Sequence, residues 1–298
     1  MSLKQKILDL KKQKDAIILA HNYQRQEIQK IADYIGDSLG LSQKVSQLNK
    51  DLVVFCGVKF MAESAAILSP NKKILLPNKQ SKCPMARMVT PKGLKELKEK
   101  NPKAAIVSYV NTTAKIKALS DICCTSSNAI KVTKSLDKQK IIFVPDKNLA
   151  NYVNKRVEKQ IIPWKGYCPT HDNITEQEVK KAKEKNPKAI VTAHPECKEE
   201  VLNQADHISS TGGMVDLAKE TKKSKILVGT ELDLVNRLNR ENKDKEFIPL
   251  SQNAFCQNMK KITLKNTYEA LKKEKFEINI TTETRKKAKK ALEKMLEV

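Results

Sequence analysis

The chain repeats itself about every 85 residues, and this period limits its fold more than any other feature. KEKNPKAAIV from Lys98 and KEKNPKAIV from Lys183 differ by one inserted residue and begin 85 positions apart. After Ile106 and Ile190 the two copies run on in parallel: an apolar strand, a polar tip, a helical stretch, Asp121 or Asp206, then Ser126 or Ser210. AIILAHNYQRQEIQKIADYIGDSLG, near the N-terminus, follows the same order with Asp33 and Ser38. Each copy continues with a second apolar run (VVFCGV from Val53, IIFVPD from Ile141, KILVGT from Lys225) and a third (KILLPN from Lys73, KQIIPW from Lys159, KEFIPL from Lys245). Soon after the third run comes a cysteine. Cys83, Cys168 and Cys256 lie 85 and 88 residues apart, in phase with the repeat, so the chain reads as an internal triplication.

Short β-branched runs between helical stretches are the pattern of parallel sheets covered by helices on both faces. The expected fold class is therefore α/β, with three pseudo-symmetric three-layer α/β/α sandwich domains. Each has a small parallel sheet, read here as three strands. The repeats span 1–82, 83–167 and 168–269, with the catalytic site at the junction of all three. The tail, 270–298, is expected to pack back on the first repeat; the helix TLKNTYEALKK leads into a short strand (FEINI) and a final amphipathic helix around Ala288, Ala291, Leu292 and Met295. Thr90-Pro91 and Thr175 with Glu178 signal helix starts, and Ile28, Ile31, Ala32 and Ile35 fall on one helical face.

The 298 residues include 57 Lys and Arg against 34 Asp and Glu, a net charge of +23. The excess is spread along lysine-rich helix faces, aromatics are 4% of the chain and no nucleic-acid motif is present, so a solvated basic surface is preferred to a nucleic-acid partner. A basic RNA-binding module stands as the non-enzymatic alternative. The start, MSLKQKILDL, has no apolar signal region, and runs such as AIILA are too short to span a membrane, which predicts a cytoplasmic protein with no membrane partner. Seven cysteines, an odd number, point to reduced thiols or metal ligands rather than a disulfide framework.

Ligands of open parallel sheets collect at the carboxyl ends of the strands. There the first strands carry His21-Asn22-Tyr23, Tyr109-Val110-Asn111 and His194-Pro195-Glu196, and the later steps deliver Ser38, Ser126, Ser210 and Thr211. A quasi-threefold axis would aim all of them at one centre. The phased thiols Cys83, Cys168 and Cys256 then converge on one metal site, while Cys56, Cys123, Cys124 and Cys197 are expected to be small buried hydrophobes. Three thiolates are one short of a closed site, leaving one position open for Lewis-acid catalysis. Glu196 is a candidate general acid or base, because enclosure raises a carboxyl towards neutrality. The hydroxyls beside Gly36 and Gly212-Gly213 suit phosphate or carboxylate, although each alone also reads as a helix N-cap. A zinc-dependent aldolase or hydro-lyase acting on a sugar phosphate would use the same three thiols.

The residues that carry these readings resemble a known family. AHNYQ with GDSLG, FMAE from Phe60, CPMA from Cys83, YVNTTA from Tyr109, CTSSNA from Cys124, PDKNLA from Pro145, CPTH from Cys168, HPEC from His194, STGGM from Ser210, GTE from Gly229 and CQNMKKITL from Cys256 together resemble the quinolinate synthase family of NAD biosynthesis. The resemblance implies three pseudo-equivalent domains around one 4Fe-4S cluster held by Cys83, Cys168 and Cys256, one iron being open to substrate. It implies condensation of iminoaspartate with dihydroxyacetone phosphate to quinolinate, with loss of phosphate and water. The positions it assigns to proton transfer are Glu196, His194, Tyr23, Tyr109 and His21. Those assigned to substrate binding are His21, Ser38, Met61, Tyr109, Val110, Asn111, Ser126, His171, His194, Pro195, Glu196, Ser210, Thr211 and Met259. The labile imine implies a transient partner, an L-aspartate oxidase or dehydrogenase. Two features depart from the family: Tyr167 precedes the second cysteine where many relatives have His, and SQNAFC lacks the second cysteine of a regulatory disulfide.

Overall fold

Three four-stranded sheets, each all-parallel, form the framework of the computed structural model, which describes residues 1–298. The first contains β1 (Ala16–His21), β2 (Tyr34–Gly36), β3 (Leu52–Cys56) and β4 (Lys73–Leu75), ordered β2-β1-β3-β4. The second contains β5 (Ala105–Tyr109), β6 (Ile122–Cys124), β7 (Lys140–Val144) and β8 (Gln160–Pro163), and the third β9 (Ile190–Ala193), β10 (His207–Ile208), β11 (Lys225–Gly229) and β12 (Glu246–Pro249). Their orders, β6-β5-β7-β8 and β10-β9-β11-β12, repeat the first. The chain leaves the first strand of each copy to one side and later fills the other side, which opens a crevice at the carboxyl ends. Helices cover the sheets, so every residue of β3 and β5 is buried, as continuous apolar runs require.

Each sheet has one strand more than the sequence reading assigned. The addition is the edge strand β2, β6 or β10, of two or three residues, too short to show any periodicity. The phased aspartates create it. Asp33, Asp121 and Asp206 accept the amides of Ile18, Ile106 and Val191 at 2.8, 2.7 and 2.7 Å, and their own amides donate back to the carbonyls of the same residues. This two-way bond lays the chain beside its first strand. It also cuts the first helix short: the helix ends at Gln29, and Ile35 lies on β2 rather than on the helical face expected of it.

The helix starts follow the sequence signals. Thr90 accepts from the Gly93 amide with Pro91 in the first turn, and Thr175 and Glu178 form a capping box. In the tail, helix Leu264–Lys273 packs on helix Leu3–Gln13, and helix Thr282–Glu297 lies across β6 and helices Ala114–Lys117 and Lys59–Leu68. FEINI is not a strand. The run opens on Phe276 at φ 69° and makes one antiparallel bridge, Leu75 to Glu277, on the edge of the first sheet. No helix is long and apolar enough to cross a membrane.

Candidate functional site

The turns after β1, β5 and β9 carry the reactive side chains, and each is held from below. Gln29 donates to the carbonyls of Asn22 and Gln24 at 3.0 and 2.8 Å. At the equivalent place in the second repeat the buried Lys117 ammonium donates to Val110 O at 2.7 Å and to Thr112 O. In the third repeat that place holds Leu202, and Asn148 of the second repeat donates to Glu196 O at 3.0 Å instead. Burial lowers Lys117 to about 8. Lys117→Met leaves two buried carbonyls without a donor and is expected to cost about 2 kcal/mol of stability and to raise KM. Lys117→Gln, which copies the first repeat, is expected to recover most of both; melting curves and steady-state kinetics check this.

The two strand-end histidines are posed alike. His21 Nδ1 accepts the Tyr23 amide at 3.1 Å, and His194 Nδ1 accepts the Glu196 amide at 3.3 Å. Each ring therefore carries its hydrogen on Nε2, an assignment made from the hydrogen bonds. Burial holds both at about 3, helped by Lys260 at His21 and by His171 at His194, so both are neutral donors near pH 7. His194 Nδ1 also lies 3.4 Å from a Glu196 oxygen, but two acceptors facing each other make no hydrogen bond.

Glu196 is the electrostatic centre. Its Oε2 meets His171 Nδ1 at 2.8 Å, and its Oε1 accepts from Asn111 Nδ2 at 3.2 Å. Burial pushes the carboxyl up, but His171, His194 and the Tyr109 hydroxyl outweigh it and hold Glu196 at about 2. The expected rise towards neutrality is thus reversed: Glu196 is a carboxylate, fit to act as a base. Burial, reinforced by this carboxylate, pushes the Tyr23 and Tyr109 phenols well above their usual range and keeps them protonated. Tyr23 Oη, Thr230 Oγ1 and His171 Nε2 form a triangle with sides of 2.7, 3.0 and 3.3 Å. The imidazole of His171 thus joins two hydroxyls to the Glu196 carboxylate.

These groups face a cavity of about 660 Å³, counting its solvent-open part, between the three repeats. His21, Tyr23, Ser38, Met61, Tyr109, Val110, Asn111, Ser126, His171, His194, Glu196, Thr211 and Met259 line it, and so do Cys83, Cys168 and Cys256. Pro195 is buried but outside the wall, and Ser210 caps helix Thr211–Glu220 by accepting the Gly213 amide. Tyr167 is also outside the wall, its ring beneath the Lys147 ammonium. The wall contains residues the sequence reading did not single out: Asp37, Leu39, Val58, Phe60, Thr125 and Thr170. Asp37 and Thr125 adjoin Ser38 and Ser126, a signal that was there to use. Thr230, behind the wall, had only its place in the GTE run.

All seven cysteines are unpaired; Cys56, Cys123, Cys124 and Cys197 are fully buried, and the phased trio is partly exposed on the cavity wall. Burial pushes Cys83 up to about 12 and raises Cys168 and Cys256, so metal binding here must release protons. One tetrahedral ion needs its sulfurs within about 4 Å of one another, given metal–sulfur bonds of about 2.3 Å. The only gathered group of three such donors is Cys168, His171 and Glu196, with ligand atoms within 4.8 Å of one another. The three thiols share the cavity wall without forming such a group themselves.

The family model described as NadA, quinolinate synthetase A protein, matches residues 5–297. The chain is 52% identical over 290 residues to quinolinate synthase from Alkaliphilus metalliredigens, covering 97% of this chain and 96% of that protein. It is 50% identical over 293 residues to quinolinate synthase from Thermodesulfovibrio yellowstonii, with 98% and 97% covered. It is 50% identical over 293 residues to quinolinate synthase 1 from Methanosarcina acetivorans, with 98% and 96% covered. With three unpaired cysteines and a buried carboxylate gathered from three repeats at one cavity, the chain belongs to the quinolinate synthetase A family.

Proposed function

We propose that this enzyme condenses iminoaspartate with dihydroxyacetone phosphate to form quinolinate, with loss of phosphate and water, in NAD biosynthesis. The observation that carries the proposal is the meeting of Cys83, Cys168 and Cys256, each in the loop that follows the last strand of one of the three sheets, with Glu196 at a single cavity. Those cysteines would hold a 4Fe-4S cluster with one iron open to substrate. When bound, the cluster supplies a Lewis acid for substrate oxygen without redox change. The ranges 1–82, 83–167 and 168–269 are proposed as the three domains whose junction forms the site, and the cytoplasm as its location.

The protein's own groups then have separate tasks. Glu196 accepts protons, because its carboxylate is ionised across the neutral range. Tyr23 and Tyr109 present O–H donors to the substrates as they react, their phenols staying protonated. His21 and His194 present neutral Nε2–H donors, and Ser38, Asn111, Ser126 and Thr211 orient the carboxylate and phosphate groups of the two anionic substrates. Enclosure limits hydrolysis of the imine, whose instability calls for an aspartate oxidase or dehydrogenase close by.

Quinolinate formation from the two substrates by protein prepared without oxygen tests the proposal, with iron and acid-labile sulfide measured on the same sample. About four of each per chain is expected. A second reading, a single divalent ion on Cys168, His171 and Glu196, would occupy the proposed base. Zinc without sulfide, and no quinolinate, would favour it.

A further inference from the structure

We propose that Asp146 and Glu231 are positioning residues for two of the metal-binding cysteines, each carboxylate clamping a cysteine's backbone amide to the start of a helix. The inference rests on the reading of Cys83, Cys168 and Cys256 as ligands.

The third strands of the three sheets, β3, β7 and β11, lead into helices Lys59–Leu68, Lys147–Asn154 and Leu232–Glu241, whose N-caps are Val58, Asp146 and Glu231. In every repeat the first amide of that helix donates to the carbonyl two residues before the cysteine: Lys59 to Ser81 at 2.8 Å, Lys147 to Gly166 at 2.7 Å and Leu232 to Ala254 at 2.9 Å. This bond docks all three cysteine loops in the same way. In the second and third repeats a side chain adds to it. Asp146 accepts the Leu149 amide on Oδ1 at 2.7 Å and the Cys168 amide on Oδ2 at 3.1 Å. Glu231 accepts the Asp233 amide on Oε2 at 2.9 Å and the Cys256 amide on Oε1 at 3.2 Å. Both carboxylates are fully buried, and Lys260 pairs with Glu231 at 2.7 Å.

A cap alone needs one oxygen. The second oxygen of each carboxylate reaches the residue that bears the thiol, and that of Glu231 also meets the Lys260 ammonium. A cysteine side chain has one torsion before sulfur, so a fixed backbone leaves Sγ only three staggered positions. The clamp therefore reduces the freedom lost when metal binds. Gly166 shows how tightly the second loop seats, since a Cβ there would stand 2.4 Å from Pro145 O. The first repeat is built differently: Val58 has no acceptor, and the single hydroxyl hydrogen of Ser81 has Gly57 O and Asn258 O, both 2.8 Å from Oγ, as alternative acceptors, which brings the Cys83 loop against the Cys256 loop.

Asp146→Asn and Glu231→Gln keep one oxygen for the cap and turn an NH2 group towards the cysteine amide or the helix; Asp146→Asn thereby loses one bond, and Glu231→Gln also loses the ion pair of Oε1 with Lys260. Asp121→Asn is the control, because that carboxylate holds Ile106 N and touches no cysteine loop. Iron transfer to a chelator without oxygen is expected to be about 10-fold faster in Asp146→Asn and Glu231→Gln than in wild type and Asp121→Asn. Melting temperatures identify any loss due only to a weaker fold. Equal release from all four proteins, or release that tracks melting temperature alone, would overturn the clamp. Wild type without iron would instead remove the ligand reading, and alkylation of the metal-free protein then decides. Faster labelling of Cys168 alone in Asp146→Asn, and of Cys256 alone in Glu231→Gln, supports the clamp; unchanged labelling refutes it.

Discussion

Cys168→Ser, prepared without oxygen, is expected to lose most of its iron and sulfide and to form quinolinate about a thousandfold more slowly than wild type. The rate follows from the several kcal/mol that a Lewis-acidic metal contributes, at about 1.4 kcal/mol per factor of ten. The serine hydroxyl is nearly isosteric with the thiol but far less acidic, and burial disfavours its ionisation further, so it cannot replace the thiolate. Cys168 Sγ also lies 3.2 Å from His171 Nδ1, so its removal disturbs the group that meets Glu196. Cys197→Ser is the comparison. Cys197 is fully buried beneath the site with Sγ 3.5 Å from Gly229 O, an acceptor a hydroxyl also satisfies, and this variant is expected to keep its iron. Retention of iron and activity by Cys168→Ser would withdraw the three-cysteine site.

Glu196→Gln is expected to keep wild-type iron and lose about 10²- to 10⁴-fold in turnover, the usual range for removing a general base. Glutamine matches the carboxylate in shape but not in role. One oxygen now meets His171 Nδ1 and the other receives Asn111 Nδ2; an amide must turn its NH2 towards one of these donors. Iron content separates this loss from that of Cys168→Ser, and full turnover in the variant would remove Glu196 from the mechanism. The pH profile gives a second check. Because the folded protein holds Glu196 at about 2, below the free value of 4.5, its stabilising contribution is present above pH 4.5 and is lost as pH falls towards 2. The acid limb of kcat/KM is therefore not expected at the ordinary carboxylate value.

Most of the candidate site was legible because the repeat supplied a second coordinate for each residue. His21 and His194 were unusual only in occupying equivalent strand ends, and they turn out to accept equivalent amides. The phased aspartates were equally visible, but nothing local distinguished a site residue from one that locks an edge strand; Asp33, Asp121 and Asp206 do the latter. Ser210 was ambiguous between ligand and cap, and its hydroxyl is committed to Gly213 N. The edge strands themselves escaped notice because two or three residues carry no period, and FEINI, whose composition favoured a strand, begins at φ 69° and makes one bridge only.

What the sequence determined alone was periodic: three α/β units, the buried runs of their sheets and three cysteines in one phase. Apolar spacing and repeat length are one-dimensional facts, and chain geometry turns them into three sheets with one strand order. The tertiary structure decided the ionisation of Glu196, the triangle of Tyr23, Thr230 and His171, and the second duty of Asp146 and Glu231. Each depends on partners far away in the chain: Tyr23 meets Thr230 across 207 residues, and Asn111 meets Glu196 across 85. A carboxyl's pKa is set by the balance of lost hydration against the charges and donors that surround it, and that balance does not exist until the three repeats close around the cavity.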